Sequence, residues 1–302
     1  MEGNNLVPTC PICREQSKIL WLKAKSEKSL IEFKPSGKSN KNFDIYECSF
    51  CDLKYVYPTP PSPDILNGYE NSADVDFVSQ HRGRLKTFSR YIKRIPTQTN
   101  MDYSNLKFLD IGCASGSFLA AAKKMGALGV GLELNSFLAD WGRKNYGVDI
   151  IQGSLESFHF NDTYNCVTFW DVLEHLQNPL QAIESVAKNL PIGGLLIFSL
   201  PDTDSFYSKY LRRFWPMILD VHLTYFNNKS LSFLVSKFGF KLKYRSNYYQ
   251  TLDLRYLLYR LSINLNSSVI LQFLKIFSFI LTRINVTYYI GQKFYIFEKI
   301  SD

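Results

Sequence analysis

The stretch "FLDIGCASGSFL" at residues 108–119 combines three patterns in one short segment. An apolar run ends in Asp110, the chain then passes Gly112 and Gly116, and a second apolar run with helical spacing follows. Glycine adopts backbone conformations that other residues avoid, and it lets the backbone come close to a ligand. The segment therefore predicts a strand, a tight ligand-binding loop and a helix.

The carboxylate of Asp110 indicates which ligand this loop suits. A dinucleotide-binding loop has the pattern G-x-G-x-x-G/A and holds a pyrophosphate at the helix N-terminus. Here Gly112, Ala114 and Ser117 stand at the positions of the three pattern residues, so the sequence matches the pattern poorly. A carboxylate at Asp110 would also repel phosphates. The same carboxylate suits a ligand with positive charge and no phosphate. S-adenosylmethionine is such a ligand, because it has a sulfonium and an α-ammonium group.

The next predicted strand, "GVGLEL" at residues 129–134, contains a second acid. Glu133 stands near the end of that strand, where an acidic side chain accepts hydrogen bonds from ribose hydroxyls in nucleoside-binding folds. Predicted strands and helices then alternate as far as residue 200. Such alternation predicts an α/β fold, with a Rossmann-like sheet that has helices on both faces and binds ligands at the carboxyl ends of its strands.

Residues 107–200 resemble the core of class I S-adenosylmethionine-dependent methyltransferases, through "LDIGCASG", "GVGLE", "QGSLES" and "FWDVLEHLQNP". The resemblance implies a seven-stranded sheet with an antiparallel final strand, for which "QKFYIFEK" is the candidate. It also implies that the glycine loop lines the methionine end of the cofactor, Glu133 the ribose, and the residues after the third strand the adenine. The predicted cofactor-binding set is Asp110, Gly112, Cys113, Ala114, Gly116, Glu133, Leu134, Ser154, Leu155 and Asp171.

Four of the six cysteines form two C-x-x-C pairs, "CPIC" at 10–13 and "CSFC" at 48–51. Two such pairs supply the four thiolates of a closed, structural zinc site. We predict a zinc-ribbon module over residues 1–60, with Cys10, Cys13, Cys48 and Cys51 as the metal ligands. A module of this kind before a methyltransferase core resembles sugar methyltransferases of surface-polysaccharide gene clusters.

The proline-rich stretch "YPTPPSPD" predicts the end of this module, because proline interrupts sheets and helices. A linker and a capping helix are predicted over residues 61–106, and the methyltransferase domain over 107–302. Within that domain, residues 252–284 form an insert with apolar side chains at the spacing of two amphipathic helices. These helices either pack on the sheet or on a second subunit, or lie on a membrane surface.

The positive charge is concentrated in residues 80–95 and in residues 241–302, which hold nine basic and three acidic residues. Residues 80–95 hold six basic residues and no acid, which fits either an anionic partner or a solvated helix face. The N-terminal "MEGNNLVPTC" has no leader pattern, and the uncharged stretch at 261–274 is shorter than the roughly 20 residues that span a bilayer. We expect a cytoplasmic protein, with peripheral contact to an anionic membrane left open.

A hydroxyl acceptor needs a general base, and two segments after predicted strands offer histidines. "DVLEH" ends in His175, and "DVHLTYF" contains His222. Because a histidine titrates close to neutral pH, we predict His222 as the catalytic base and His175 as the second choice. Packing or helix-capping roles are the alternative for both, and the D-x-x-E-H spacing also has metal-ligand chemistry.

For the methyl acceptor we expect a nucleotide-linked or lipid-linked sugar in surface-polysaccharide biosynthesis. RNA methylation, O-methylation of a quinone or small lipid, and a non-catalytic cofactor-binding module are alternatives. No N-P-P-Y segment follows the fourth strand, where the sequence has "DVLE", and this argues against amino-group methylation of bases. Nucleic acid is therefore the less favoured partner, and the sequence leaves the oligomeric state open.

Overall fold

The computed structural model describes residues 7–24, 43–61, 75–160, 162–265, 274 and 280–302. Its centre is a seven-stranded sheet. The strands of this sheet are β4 (Lys107–Ile111), β5 (Leu128–Glu133), β6 (Asp149–Gln152), β7 (Cys166–Trp170), β8 (Leu195–Pro201), β10 (Phe240–Asn247) and β13 (Gln292–Lys299).

The spatial order of these strands is β10-β13-β8-β7-β4-β5-β6. Neighbouring strands from β8 to β6 run parallel, whereas β13 runs antiparallel to both β8 and β10. β7 and β8 lie in the middle and are buried along their whole length, as their apolar sequences require. The predicted Rossmann-like sheet with an antiparallel last strand is confirmed.

Helices alternate with the strands of this sheet along the chain. They are α1 (Val75–Ser79), α2 (His81–Ile92), α3 (Arg94–Thr99), α4 (Ser117–Lys124), α5 (Ser136–Tyr146), α6 (Pro179–Asn189), α7 (Phe206–Leu211), α8 (Asn228–Ser236) and α9 (Leu254–Leu265). The capping helix expected as one piece is divided into α1, α2 and α3. The first break falls at Gln80, where the side chain donates to Asp253 of the insert at 2.7 Å.

A second sheet contains the N-terminal strands. It consists of β1 (Ile19–Leu22), β2 (Ile45–Glu47), β3 (Lys54–Val56) and β9 (Thr224–Tyr225), in that order. β9 comes from the methyltransferase part of the chain and pairs antiparallel with β3. Cys10, Cys48 and Leu53 also share one apolar core with the central sheet. The predicted domain boundary near residue 60 stays a prediction. The N-terminal part and the methyltransferase part of the chain pack against each other.

The insert contributes strands as well as a helix. β11 (Gln250–Asp253) pairs antiparallel with β12 (Asn285–Tyr288), so Leu252 belongs to a strand, and α9 follows directly. β11 packs on α2, where the Thr251 amide donates to Thr87 Oγ1 at 2.7 Å. The second predicted amphipathic helix lies largely outside the described residues. Among the helices that are described, none has both the length and the apolar character needed to cross a bilayer.

Candidate cofactor and acceptor site

The loop between β4 and α4 has three residues with left-handed backbone. The φ angles are +64° at Gly112, +48° at Ala114 and +68° at Gly116. A Cβ atom at Gly112 would lie 2.7 Å from Val172 Cγ2, and one at Gly116 would lie 2.8 Å from Val148 Cγ2. Any other residue at Gly112 or Gly116 would therefore be strained in its backbone and would clash with a neighbour. Ala114 has the same left-handed backbone conformation and is strained by it.

Asp110 is buried at the end of β4, beneath this loop. Its Oδ1 accepts a hydrogen bond from Thr168 Oγ1 at 2.6 Å. Burial raises the pKa of Asp110 to about 8, with the Thr168 hydrogen bond opposing the rise and the charge of Glu133 adding to it. A cationic group at this position would stabilise the charged carboxylate, which fits the α-ammonium group of S-adenosylmethionine.

Glu133 ties the same loop to the end of β5. Its two carboxylate oxygens accept hydrogen bonds from the backbone amides of Ala114 and Asn135, each at 2.8 Å. Burial raises the pKa of Glu133, and these amide bonds oppose the rise. The acid predicted to contact a ribose thus lies beside the loop. Ser154 and Leu155 follow β6 at the same edge of the sheet.

A cavity of about 40 Å³ opens above the loop. Its floor contains Asp110 and Cys113, while α1 and α2 cover it from the other side. The complete lining is Phe77, Arg84, Phe88, Asp110, Gly112, Cys113, Ala114, Ser115, Ser117 and Trp170. The capping segment predicted from the sequence therefore supplies one wall of this cavity.

A second cavity of about 30 Å³ adjoins the first and shares Arg84, Phe88 and Trp170 with it. Its remaining walls come from α2, from the end of β7 and from the insert. They are Thr87, Asp171, Tyr248, Gln250 and Leu252. The two cavities therefore lie next to each other, on either side of these three side chains.

Asp171 stands at the edge of the second cavity, directly after β7. Its Oδ1 accepts from Ser199 Oγ at 2.9 Å and from Gln292 Nε2 at 2.8 Å. Its Oδ2 accepts from Gln250 Nε2 at 3.0 Å. Burial raises the pKa of Asp171 to about 6, against the opposing effects of the Ser199 hydrogen bond and the Arg84 charge. The carboxylate is thus held in place and titrates close to neutral pH.

Arg84 joins the two cavities. Its guanidinium carbon lies 3.6 Å from the ring centroid of Phe77, a cation–π contact. Its Nε atom is buried and has no hydrogen-bond partner among the described residues. The sequence indicated a basic helix here, but it did not show which of the six basic residues faces the site. Trp170, Tyr248 and Gln250 also carried no recognisable signal.

The two histidines predicted as bases lie next to each other, with ring centroids 4.7 Å apart. Burial lowers the pKa of His175 to about 4, and burial together with His175 lowers that of His222, so both rings are neutral at pH 7. Neither ring lines either cavity. Their assignment as catalytic bases stays a prediction.

The four cysteines of the two C-x-x-C pairs come together at the N-terminal sheet. The Sγ atoms of Cys10 and Cys51 are 3.6 Å apart, and those of Cys13 and Cys48 are 3.4 Å apart. All four lie within 4.8 Å of one another. In each pair, the amide of the residue after the second cysteine donates to the carbonyl of the first at 3.0 Å. The two turns therefore have matching geometry.

A family model described as a methyltransferase domain matches residues 79–244, more than half of the chain. The chain belongs to this methyltransferase family. The matched region contains the glycine loop, both cavities' shared walls and Asp171. The fold is that of an S-adenosylmethionine-dependent methyltransferase from Archaeoglobus fulgidus, with a TM-score of 0.50 and 16% identity over 75% of this chain and 100% of that one.

Curated relatives match this methyltransferase over a shorter region. A ubiquinone biosynthesis O-methyltransferase of Actinobacillus pleuropneumoniae is 32% identical over 104 residues, which are 31% of this chain and 44% of that protein. A mitochondrial protein of the same name from Schizosaccharomyces pombe is 27% identical over 105 residues, covering 32% of this chain and 38% of the relative. The chain thus spans less than half the length of these relatives.

Proposed function

We propose that this methyltransferase transfers the methyl group of S-adenosylmethionine to a hydroxyl group of a small molecule. The supporting observation is the pair of adjoining cavities, one with Asp110 and the glycine loop, the other with Asp171. Methyl transfer needs an acceptor oxygen in line with the sulfonium methyl and in contact with it. The first cavity and the second share Arg84, Phe88 and Trp170, so a cofactor at one and an acceptor at the other would lie next to each other, which supports the proposal.

The cofactor supplies an electrophilic methyl group and leaves as a neutral thioether. In this proposal Asp110 binds the α-ammonium group, Glu133 binds the ribose hydroxyls, and Ser154 with Leu155 borders the adenine. The residues fit such a ligand, because a buried carboxylate with a raised pKa gains its charge when a cation binds beside it. The helices α1 and α2 shield the reacting groups from water, which favours transfer to the acceptor over hydrolysis.

Asp171 is the residue that we propose to receive the acceptor's proton. It lines the second cavity, its orientation is set by three hydrogen bonds, and its raised pKa makes it a stronger base than an exposed aspartate. His222, and after it His175, remain the alternative bases predicted from the sequence. The pH profile of kcat in Asp171→Asn and His222→Asn variants distinguishes these candidates. Only the replacement of the true base should abolish the decrease of kcat at low pH.

The chemistry of the second cavity supports a ring-shaped acceptor. Trp170 and Tyr248 offer flat apolar faces, and Thr87, Asp171 and Gln250 offer hydrogen-bonding groups. Aromatic walls with a few polar groups are typical of sites for sugars and other small ligands. A nucleotide-linked or lipid-linked sugar therefore stays our first candidate. A quinol or phenol is the second candidate, favoured by the names of the curated relatives.

The test is transfer of labelled methyl groups to a panel of acceptors that contains nucleotide sugars, polyprenyl-linked sugars and catechols. Binding of S-adenosylhomocysteine is measured separately by calorimetric titration. Asp110→Asn should weaken this binding, whereas Asp140→Asn, an exposed acid that pairs with Arg143, should leave it unchanged. Cofactor binding without any transfer would refute the acceptor assignment alone. No cofactor binding at all would refute the whole proposal.

We also propose that the four N-terminal cysteines hold a structural zinc ion. A tetrahedral site with Zn–S bonds of about 2.3 Å places its sulfurs about 3.8 Å apart, close to the separations of 3.6 and 3.4 Å. Four thiolates leave no open coordination position, so a catalytic role is not expected. Cys48→Ser should lose one equivalent of zinc and destabilise the fold, which metal analysis and thermal unfolding measure. Cys166→Ser is the control outside the cluster.

An anionic membrane is the remaining partner that we propose, now on the segment after β8. Phe206, Tyr210 and Phe214 are 66%, 73% and 76% exposed, and Lys209, Arg212 and Arg213 lie among them. Exposed aromatic residues interleaved with basic ones are typical of interfacial membrane binding. Flotation with anionic vesicles should capture the wild type and lose the Phe206→Ser, Tyr210→Ser double variant. Equal flotation of both proteins, or none with anionic lipid, would refute the assignment.

A further inference from the structure

The hairpin of β11 and β12 presents polar side chains on both of its faces. Gln250 lies directly opposite Tyr288, and the next pair in register is Thr251 with Thr287. Successive residues of a strand point to opposite faces, so these two pairs lie on different sides of the hairpin. The threonine pair faces α2, where Arg90 Nη2 lies 3.4 and 3.5 Å from the two hydroxyls. Gln250, from the other pair, lines the second cavity.

Asp171, Gln250 and Gln292 form a closed ring of hydrogen bonds. Gln250 Nε2 donates to Asp171 Oδ2 and to Gln292 Oε1, each at 3.0 Å. Gln292 Nε2 donates to Asp171 Oδ1 at 2.8 Å, which closes the ring on the second carboxylate oxygen. Outside the ring, Gln250 Oε1 accepts from the Tyr288 hydroxyl at 3.1 Å. The carboxylate after β7 is thus connected to both strands of the hairpin through one amide group.

The carboxylate determines how both amide groups are oriented. A charged carboxylate only accepts hydrogen bonds, so each glutamine must turn its NH₂ group toward Asp171. The Oε1 atom of Gln292 is then left to accept from Gln250, and the Oε1 atom of Gln250 is left for a further donor. Tyr288 supplies that donor. The hydrogen bonds therefore run in one direction, from Tyr288 through Gln250 to Asp171.

Asp171 has a strained backbone, which such restraints help to hold. Its φ angle is +55°, in the left-handed region that residues other than glycine adopt infrequently. Residues of this kind persist where the surrounding structure fixes them, and they are concentrated at functional sites. The Asp171 amide also donates to the Ser199 carbonyl at 2.9 Å. Contacts with β8 and with the hairpin therefore fix both the backbone and the carboxylate.

We propose that Gln250 and Tyr288 are positioning residues, which act through Asp171 and orient its carboxylate toward the methyl acceptor. This inference rests on the proposed function, in which Asp171 receives the acceptor's proton. Among the described residues, Oδ1 of Asp171 accepts two hydrogen bonds and Oδ2 accepts one. The second lone pair of Oδ2 is therefore the one that receives the proton. The hairpin thus contributes to the reaction by holding this oxygen in place.

The ionisable groups around Asp171 come from several elements. Burial raises the pKa of Asp171, and the charge of Arg84 on α2 opposes the rise. Burial and the charge of Asp171 raise the pKa of Glu174, in the 3₁₀ turn after β7, so that this acid is neutral. Burial raises the pKa of Tyr248 and of Tyr288, and the two neighbouring imidazoles are also neutral. Near neutral pH, Arg84 is therefore the charged member of this set, and its charge does not change.

Removing the amide of Gln250 should shift the titration of Asp171. Gln250→Met keeps a side chain of similar length but removes an N–H donor that stabilises the charged carboxylate. The loss of such a donor raises the pKa of a carboxyl group, here by about one pH unit. The decrease of kcat at low pH should therefore begin about one pH unit higher. Gln181→Met, at an exposed glutamine of α6, is the control and should leave the profile unchanged.

Tyr288→Phe tests whether the tyrosine acts through the amide. Alone, it should shift the profile in the same direction but by less, because Gln250 stays beside the carboxylate and only loses its fixed orientation. In the Gln250→Met background it should have no further effect, since the connection is already absent. Tyr249→Phe, at a neighbouring tyrosine that is 39% exposed, should match the wild type. Equal shifts by Tyr288→Phe in both backgrounds would overturn the inference.

A titration of the carboxyl group without turnover separates this inference from the proposed function. Infrared difference spectra follow the C=O stretch of protonated Asp171 with pH, and Asp171→Asn identifies the band. An equal midpoint in the wild type and Gln250→Met would overturn the inference. A midpoint that moves while the pH profile of kcat stays would support the positioning and refute Asp171 as the base. If Gln250→Met unfolds, Tyr288→Phe removes only one oxygen atom, and an unchanged midpoint in this variant would likewise overturn the inference.

Discussion

Replacing Asp110 with asparagine should stabilise the cofactor-free protein while it weakens cofactor binding. Asp110 is fully buried, and its pKa is raised from 3.8 to about 8. The folded protein therefore binds a proton more tightly than the unfolded chain does, so stability decreases as the pH rises from 3.8 towards 8. At about 1.4 kcal/mol per unit of pH, the charge of this carboxyl group costs about 4 kcal/mol at pH 7.

The asparagine variant removes that cost and keeps an oxygen for the Thr168 hydroxyl. Its amide N–H groups need partners of their own, and burying them without partners costs about 1–3 kcal/mol. We therefore expect a net gain in the free energy of unfolding of about 1–3 kcal/mol at pH 7. At pH 4, close to the unfolded pKa of 3.8, the charge cost almost vanishes, so the buried amide should leave the variant about 1–3 kcal/mol less stable than the wild type. Loss of the charged hydrogen bond to the cofactor should weaken binding about 10- to 100-fold.

Urea unfolding at several pH values between 4 and 8.5 measures this difference, and calorimetric titration with S-adenosylhomocysteine measures the binding. Asp140→Asn is the matched control, because Asp140 is 74% exposed and pairs with Arg143 on the surface of α5. Its effect should stay below about 0.5 kcal/mol and should not change across the upper part of the pH range. Parallel pH dependences for wild type and Asp110→Asn would show that Asp110 is not a strained, buried acid.

Ala114→Gly should raise the urea midpoint, because an alanine at φ +48° destabilises the folded state by about 1–2 kcal/mol. The greater conformational freedom of glycine in the unfolded chain offsets part of this gain, so a net increase in stability of up to about 1 kcal/mol is expected. An unchanged or lower midpoint would contradict this strain. Gly131→Ala should lower the melting temperature and weaken cofactor binding, since its Cβ would lie 2.3 Å from Cys113 Sγ and overpacking costs about 1–3 kcal/mol. Normal binding in a fully folded variant would show that the loop tolerates the shift. Lys299→Met should cost about 1–3 kcal/mol in chemical denaturation, because the buried ammonium group donates to the carbonyls of Ala187 and Leu190 at the end of α6. Lys229→Met, which removes a surface ion pair with Asp52, should lower stability much less than Lys299→Met does, and equal losses in both variants would contradict this difference.

Local patterns were sufficient to predict the central fold and the cofactor loop. The alternation of apolar runs up to residue 200 predicted the strand and helix succession that β4 to β8 form, because strand and helix periodicities are properties of a short segment. The same is true of the loop, where an acid, two glycines and a helix start follow one another within ten residues. The antiparallel β13 followed from the family resemblance. The predicted capping segment is helical but divided into α1, α2 and α3, and a contact of Gln80 with the distant insert coincides with the first break.

The acceptor side of the site required the tertiary structure. Arg84, Asp171 and Gln250 come from three separate regions of the chain, and only the packing of the insert on α2 brings them to one cavity. The pairing of β3 with β9, which joins the cysteine-containing part to the rest, is likewise a long-range contact. Such contacts depend on how whole elements bury their apolar faces against each other, and no local pattern encodes them.

The protonation states of the acids and histidines also depend partly on the sequence and partly on the tertiary structure. The sequence by itself determined which acids and histidines are present, at what spacing, and on which predicted element. Burial decided how they behave: it raises the pKa of Asp110 to about 8 and that of Asp171 to about 6, and it lowers that of His175 to about 4. The cost of removing a charge from water depends on the atoms that surround it in the folded protein, so only the tertiary structure could set these values.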